Sequence, residues 1–102
     1  MTSYLTIWEY KIKPEMKNEF ENLYGSEGAW VKLFEKFPDY IKTELHHDIK
    51  NPDRYVTIDY WKTRESYYRF KETSKREFLE IDKKGEDLTL EEKQIGEFLS
   101  FV

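Results

Sequence analysis

Two strand-like segments, residues 4–12 and 54–62, have apolar side chains on both of their alternating faces, and this feature limits the possible folds most strongly. β-Branched and aromatic residues dominate both segments. A turn at residues 51–53 precedes the second segment and joins it as an antiparallel hairpin to a further strand at residues 40–48. A strand with one solvated face shows polar residues at every second position. Two apolar faces therefore predict that both sides of the sheet are covered.

The chain between the first two strands has the periodicity of a helix. Pro14 suits a first helical turn, and apolar residues follow at helical spacing from Met16 to Tyr24. Gly25 is a candidate C-cap, and the spacing resumes over residues 30–37. These patterns predict one bent helix or two short ones.

A second helical region follows the third strand. Thr63 is a candidate N-cap, and Ser74 with Glu77 matches a capping box that begins a further helical segment. Thr89 with Glu92 repeats the capping-box pattern and predicts a short turn. Side chains of residues 95–102 alternate between two faces, which predicts a last strand. The order β-α-β-β-α-β predicts a ferredoxin-like α+β fold. Right-handed crossovers then place the helices on one face of a four-stranded antiparallel sheet.

The two faces of the sheet differ in the size of their side chains. Compact aliphatic residues suit the side beneath the helices: Leu5, Ile7, Leu45, Val56 and Ile58. The other side would then be uncovered in a single chain: Tyr4, Thr6, Trp8, Tyr10, Tyr55, Thr57, Asp59 and Trp61. Because this apolar area is too large to leave in water, we expect a homodimer that packs sheet on sheet.

Composition excludes several classes of protein. With 102 residues, the chain is the size of a single domain, 1–102. It has no cysteine, which excludes disulfides, thiolate catalysis and cysteine-based zinc sites. Its net charge of -4 argues against a nucleic-acid partner. No apolar run approaches the roughly 18 residues of a membrane span. The N-terminal stretch MTSYLTIWEYKIKP does not match a signal peptide, so we expect a cytoplasmic protein with no membrane partner.

Three stretches carry a resemblance to a known family. Residues 5–14 read LTIWEYKIKP, residues 37–45 read FPDYIKTEL and residues 55–67 read YVTIDYWKTRESY. With the element order, they make the chain similar to the antibiotic biosynthesis monooxygenase (ABM) domain of the dimeric α/β-barrel superfamily. The resemblance implies a homodimer with a pocket in each subunit between sheet and helices.

The same family includes cofactor-free quinone-forming oxygenases, haem-degrading oxygenases and proteins without known activity. The resemblance therefore implies a monooxygenase-like protein that needs no cofactor and acts on a small aromatic or quinol-type substrate. The alternative is a non-catalytic dimer, either a small-molecule-binding or a stress-response protein. Haem degradation is disfavoured because the family's axial histidine and strand-one asparagine correspond here to Glu80, or neighbouring residues without histidine, and Glu9.

Two ionisable residues are candidate catalytic groups. Alternation places His47 and Glu9 on the helix-covered side, where either could take a proton from a phenolic substrate. The alternative is that His47 is half-exposed at its strand end and that Glu9 pairs with a lysine or arginine. The aromatic residues expected to line the pocket, unless they simply fill the core, are Trp30, Phe34, Tyr60, Tyr67 and Phe70. Alternation assigns Trp61 to the dimer side as a structural residue.

One strand carries three residues of types that bind metals. Glu44, His46 and Asp48 share a face at i, i+2 and i+4. Imidazole and carboxylate are suitable ligands. A solvated strand face with alternating charge explains the same pattern, and we predict no metal.

Overall fold

The computed structural model describes residues 2–101, in which four strands and four α-helices form the expected β-α-β-β-α-β order with each helical unit split in two. The elements are β1 (Thr2–Ile12), a 3-10 turn (Pro14–Met16), α1 (Lys17–Tyr24), α2 (Ala29–Phe34), β2 (Tyr40–His47), β3 (Arg54–Trp61), α3 (Arg64–Thr73), α4 (Lys75–Glu86) and β4 (Thr89–Phe101). All pairings are antiparallel, in the order β2-β3-β1-β4. The ferredoxin-like α+β fold is confirmed.

The helix ends agree only partly with the sequence signals. Thr63 caps α3, since its hydroxyl accepts a hydrogen bond of 3.0 Å from the Ser66 backbone nitrogen. Gly25 is the C-cap of α1. The capping box predicted at Ser74 is wrong, because that side chain makes no cap hydrogen bond. The prediction at Thr89 is also wrong, because this residue begins β4, which is longer than expected.

The structure reverses the prediction of which side of the two central strands, β1 and β3, lies beneath the helices. The aromatic side of β1 and β3 lies beneath the helices, where Tyr4, Tyr55 and Trp61 are almost fully buried. Ile7 pairs with Ile58 and Leu5 with Tyr60 on the opposite side, called here the outer face.

Large rings fill the inner side, where they pack against aromatic residues of the helices. Phe20 of α1 packs 4.9 Å from the ring of Tyr55, and Phe70 of α3 packs 5.1 Å from that of Trp61. Trp61 is thus a core residue, and its assignment to a dimer side was wrong. Leu45 does face inward as predicted, since it pairs with Thr57.

Candidate active site

A cavity of about 180 Å³ lies between the inner face of the sheet and the helices. Its floor comes from β1, β2 and β3, its walls from the helices, and β4 contributes at one side. The lining residues are Trp8, Tyr10, Tyr24, Trp30, Phe34, Thr43, Thr57, Asp59, Tyr67, Lys71, Phe78, Asp82 and Glu92. Flat apolar walls with a few polar groups are typical of a site for a small aromatic molecule.

Asp59 is the buried acid on the floor of this cavity, with only 9% of the residue exposed. The Thr43 hydroxyl donates a 2.7 Å hydrogen bond to Asp59 Oδ1, and the Tyr40 hydroxyl donates to Thr43 at 2.8 Å. Burial raises the pKa of the Asp59 carboxyl from 3.8 to about 6, and the hydrogen bond from Thr43 opposes this rise. Asp59 can therefore both hold and release a proton near neutral pH.

The walls are aromatic and tightly packed. The ring of Trp30 meets Phe78 edge-on at 4.9 Å and stacks on Phe34 at 5.8 Å. Tyr24 stacks on Phe20 at 4.3 Å. Gly85 of α4 makes room for it, because a Cβ at that position would collide with the Tyr24 hydroxyl. Such a packed wall leaves few rotamers for the lining rings.

A second polar group lies on the sheet side of the cavity. The Thr57 hydroxyl donates to the Tyr10 hydroxyl oxygen at 3.4 Å. Burial raises the pKa of the Tyr10 hydroxyl well above its ordinary value, and the hydrogen bond from Thr57 opposes this rise. Tyr10 therefore stays a neutral phenol and can donate a hydrogen bond, while proton acceptance falls to the carboxyl groups.

The mouth of the cavity carries charged groups from three elements. Lys71 of α3 holds its ammonium 5.3 Å from the centre of the Phe78 ring. Partial burial, followed by the charges of Asp82 and Glu86, raises the pKa of the Glu92 carboxyl to about 7. Burial, followed by the charge of Glu86, raises the pKa of Asp82 as well. Protonation of Glu92 near neutral pH relieves its repulsion with Asp82 and Glu86.

Three of the five aromatic residues predicted for the pocket line the cavity: Trp30, Phe34 and Tyr67. Phe70 lies behind the lining, 5.2 Å from the ring of Phe34. Tyr60 does not belong to the site, because it lies on the outer face with the Lys42 ammonium 4.7 Å from its ring centre. Its assignment to the pocket was wrong because the side of β3 that carries Tyr60 was predicted to lie beneath the helices.

The two predicted catalytic groups lie on opposite faces of the sheet, and neither lines the cavity. Glu9 is on the outer face and accepts a 2.9 Å hydrogen bond from Arg54 Nε, which lowers the pKa of the Glu9 carboxyl. His47 is exposed at the end of β2, where Nε2 lies 2.7 Å from the Pro52 carbonyl oxygen and the ring stacks on Tyr55 at 4.5 Å. The prediction that both lie on the helix-covered side was wrong for Glu9, which shares the outer face of β1 with Leu5 and Ile7.

The strand with metal-ligand residue types does not form a metal site in the part of the chain that the structure describes. Among residues 2–101, no three His, Cys, Asp or Glu side chains converge as ligands. His46 Nε2 lies 3.2 Å from Glu44 Oε1, while Asp48 is held by Arg54 at 3.2 Å. Glu80 is exposed on α4 and pairs with Arg76 at 3.5 Å.

Sequence reasoning missed Asp59 as a candidate base. Its signal is an acidic residue at an alternate position of an otherwise apolar strand, between Thr57 and Trp61. The inverted assignment of the faces made this residue look solvent-facing in a single chain. Once the aromatic side is known to be the inner side, Asp59 is the carboxyl group that must be buried.

Solved structures from several organisms share this architecture. A protein from Nitrosomonas europaea, provisionally named an antibiotic biosynthesis monooxygenase, is 20% identical, with a TM-score of 0.74 over 97% of this chain and 90% of that one. A protein from Bordetella bronchiseptica with the same provisional name is 17% identical, with a TM-score of 0.76 over 100% of both chains. SnoaB, a cofactor-independent oxygenase from Streptomyces nogalater, is 15% identical, with a TM-score of 0.74 over 100% of this chain and 94% of that one. At these identities the likeness shows the fold.

The family model for antibiotic biosynthesis monooxygenases matches residues 3–81. The chain belongs to this family. The match runs from β1 into α4 and includes Asp59 and Trp30, whereas β4 lies beyond it. No curated protein matches the chain significantly. None of the ABM protein's helices between residues 2 and 101 is long and apolar enough to cross a bilayer.

Proposed function

We propose that this ABM protein is a cofactor-independent monooxygenase-like enzyme that acts on a small aromatic or quinol-type substrate, with Asp59 as the base. The observation that carries the proposal is a carboxyl group on the floor of an aromatic-lined cavity, with a pKa raised to about 6 by burial. A general base is most effective when its pKa lies near the working pH. The fold shared with SnoaB, a cofactor-independent oxygenase, supports the reaction class.

The base accepts the hydroxyl proton of a bound phenol. Thr43 donates to Asp59 Oδ1, and this hydrogen bond holds the carboxylate in place as it takes up the proton. The resulting phenolate has electron density at its para carbon, and it passes one electron to O2. The aromatic walls exclude water, which keeps the charged intermediates from being quenched.

The remaining steps balance atoms and electrons. Superoxide and the substrate radical combine and form a carbon–oxygen bond at the para carbon. The hydrogen on that carbon leaves as a proton, and the peroxide O–O bond breaks with release of water, for which Asp59 returns its proton. The substrate loses four electrons and becomes a quinone, and one oxygen atom enters the new carbonyl while the other enters water.

Oxygen uptake with 1-naphthol as the probe tests this proposal. We expect uptake above that of heat-denatured protein, with 1,4-naphthoquinone as the product. With ¹⁸O2, one labelled oxygen should appear in each quinone molecule. Binding of 1-naphthol without oxygen uptake would overturn the enzymatic proposal and favour the non-catalytic binding protein.

We also propose that the protein is a cytoplasmic homodimer that buries the outer face of its sheet. Ile7, Val56 and Ile58 form an aliphatic surface on this face, and each is only partly buried within one chain. Phe98 of β4 extends this surface and is 46% exposed. The proposal keeps the sheet-on-sheet contact expected from the sequence but assigns it to the opposite face.

Replacing Ile58 with lysine is expected to convert the dimer into single chains, because a charge would be buried at the centre of an aliphatic contact. Sedimentation equilibrium gives the mass. Ile49→Lys is the matched control, since Ile49 is 95% exposed and lies outside the sheet. A wild-type mass equal to one chain, or an Ile58→Lys mass equal to that of the wild type, would contradict the proposed interface.

A further inference from the structure

Three carboxyl groups reach the cavity from three different elements. Asp59 lies on β3, Asp82 on α4 and Glu92 on β4. Within residues 2–101, none of the three forms an ion pair with a lysine or arginine side chain, although several other carboxyl groups of the protein do. Like charges that share a cavity repel one another when they are ionised. A positively charged group on a ligand would relieve this repulsion.

Lys71 is the only cationic side chain that lines the cavity in the described part of the chain. Its ammonium lies 5.6 Å from the centre of the Tyr67 ring and 5.3 Å from that of the Phe78 ring. An ammonium group is attracted by the electron-rich face of an aromatic ring. Lys71 thus shows that these walls accept an ammonium group, while one lysine against three carboxyl groups leaves the cavity with a negative net charge when all are ionised.

The Tyr67 hydroxyl is an uncharged polar group that has no partner in the part of the chain that the structure describes. The residue lines the cavity and is 5% exposed. Its hydroxyl oxygen keeps surface open to the cavity, unlike the sealed indole nitrogen of Trp61. Burial, followed by the charge of Asp59, raises the pKa of this hydroxyl, so Tyr67 stays a neutral hydrogen-bond donor. Since an unpartnered buried hydroxyl is unfavourable, Tyr67 indicates a polar atom of a ligand at this position.

One oxygen of Asp59 complements this donor. Thr43 donates to Oδ1, and no donor reaches Oδ2 from the described residues. A ligand hydroxyl can donate to Oδ2 and accept from Tyr67 at the same time. The hydroxyl end of the ligand then lies on the floor of the cavity, and the rest of the molecule extends along the aromatic walls towards Asp82 and Glu92 at the mouth.

We propose that the cavity binds a phenol that carries a basic amine, with the ammonium group held by Asp82 and Glu92. Asp82 is half-buried and is the main specificity-determining residue, while Glu92 is a more exposed second acceptor. The inference rests on the proposed function in using the same cavity and in placing the phenolic hydroxyl at Asp59. It goes further, because the reaction itself requires no positive charge on the substrate.

Three probes with different charges and similar shapes test the inference by calorimetry. They are 3-(2-aminoethyl)phenol, which is a cation, 3-propylphenol, which is neutral, and 3-(3-hydroxyphenyl)propionate, which is an anion. In all three the carbon para to the hydroxyl is free, as the proposed reaction requires. We expect the cation to bind at least about tenfold more tightly than 3-propylphenol, because a hydrogen bond to a charged group is stronger than an ordinary one. The anion should bind most weakly.

Variants locate the group that recognises the amine. Asp82→Asn keeps the shape of the side chain and should lower the preference for the cation over 3-propylphenol by about tenfold. Glu92→Gln should lower it by a smaller factor, because solvent screens the more exposed position. Glu80→Gln is the matched control, since it removes a negative charge from an exposed position of the same helix outside the cavity. It should leave the preference unchanged.

Tyr67→Phe tests the other end of the ligand. This variant loses a hydrogen bond to the phenolic oxygen that both the cation and 3-propylphenol carry. It should weaken the binding of both by about fivefold, the effect of one ordinary hydrogen bond, and leave their ratio unchanged.

Four results would overturn the inference. These are equal affinity for the cation and 3-propylphenol, an unchanged preference in both Asp82→Asn and Glu92→Gln, tighter binding of the anion, which would assign recognition to Lys71, and failure of the cation to bind. Oxygen uptake with 1-naphthol, which carries no amine, tests the proposed function separately. Failure of one proposal is therefore distinguishable from failure of the other.

Discussion

Replacing Asp59 with asparagine is expected to lower kcat for 1-naphthol oxidation by about 10²- to 10⁴-fold, the usual contribution of a general base. The amide has nearly the same shape as the carboxyl, and its oxygen can still accept the hydrogen bond from Thr43. It cannot accept a proton at neutral pH. Stopped-flow or oxygen-electrode kinetics with wild type and variant measure the loss.

The pH dependence gives this loss a signature. Because the pKa of Asp59 is about 6, kcat/KM of the wild type should rise with pH through a midpoint near that value and then level off. The residual activity of Asp59→Asn should lack this step. Glu9→Gln and His47→Ala are the controls, since both residues lie outside the cavity, and both should keep wild-type kcat. Wild-type activity in Asp59→Asn would remove Asp59 from the mechanism.

The same substitution is expected to stabilise the protein at neutral pH. The folded state raises the pKa of Asp59 from 3.8 to about 6, so the folded chain binds more protons than the unfolded chain between these values. The free energy of unfolding therefore falls as pH rises through this window. At about 1.4 kcal/mol per pKa unit, the wild type loses up to about 3 kcal/mol by pH 7.5. Asparagine has no proton to lose and avoids that loss.

Urea unfolding at pH 4 and pH 7.5 measures this effect. The stability of Asp59→Asn relative to wild type should increase between the two values. Asp48→Asn is a control without this change, because hydrogen bonds from the backbone of Lys50 and Asn51 and from Arg54 lower the pKa of Asp48 from its ordinary value of 3.8. The stability that ionised Asp48 contributes is lost only below about pH 4, so the stability of its variant relative to wild type should be nearly the same at both pH values. A relative stability of Asp59→Asn that does not change with pH would contradict the buried ionisable carboxyl.

Together the two effects separate a functional role from a structural one. Replacing a residue that serves stability lowers both the activity and the stability of the protein. Replacing Asp59 is expected to lower the activity and raise the stability at neutral pH, which is typical of a catalytic group held in an unfavourable environment.

The order of elements could be predicted because each element has a local cause. Pro14, Gly25 and the cap at Thr63 act within a few residues of themselves, and the apolar spacing between them follows the periods of helix and strand. Such signals do not depend on what the element packs against. The failed signal at Ser74 lies where α3 and α4 meet, and there the Ser74 backbone nitrogen is bonded to the Phe70 carbonyl oxygen instead.

Which face of the sheet packs against the helices could not be predicted, because both faces are apolar. Periodicity tells which side chains share a face but not which face meets the helices. The size of the side chains was a poor guide, since the rings of Tyr55 and Trp61 are buried beneath the helices while Ile7 and Ile58 lie on the outer face. The errors for Glu9 and Tyr60 and the omission of Asp59 all follow from this one choice. Irregular pairing of β4 around Ile95 adds a further shift that alternation does not reveal.

A ¹³C NMR titration of the Asp59 side-chain carboxyl tests its role as the base most directly. The signal is the one that Asp59→Asn removes from the spectrum. We predict a midpoint near pH 6, raised by burial on the cavity floor. A midpoint near the ordinary value of 3.8 would contradict a buried base, and with it the assignment of the inner cavity as the active site.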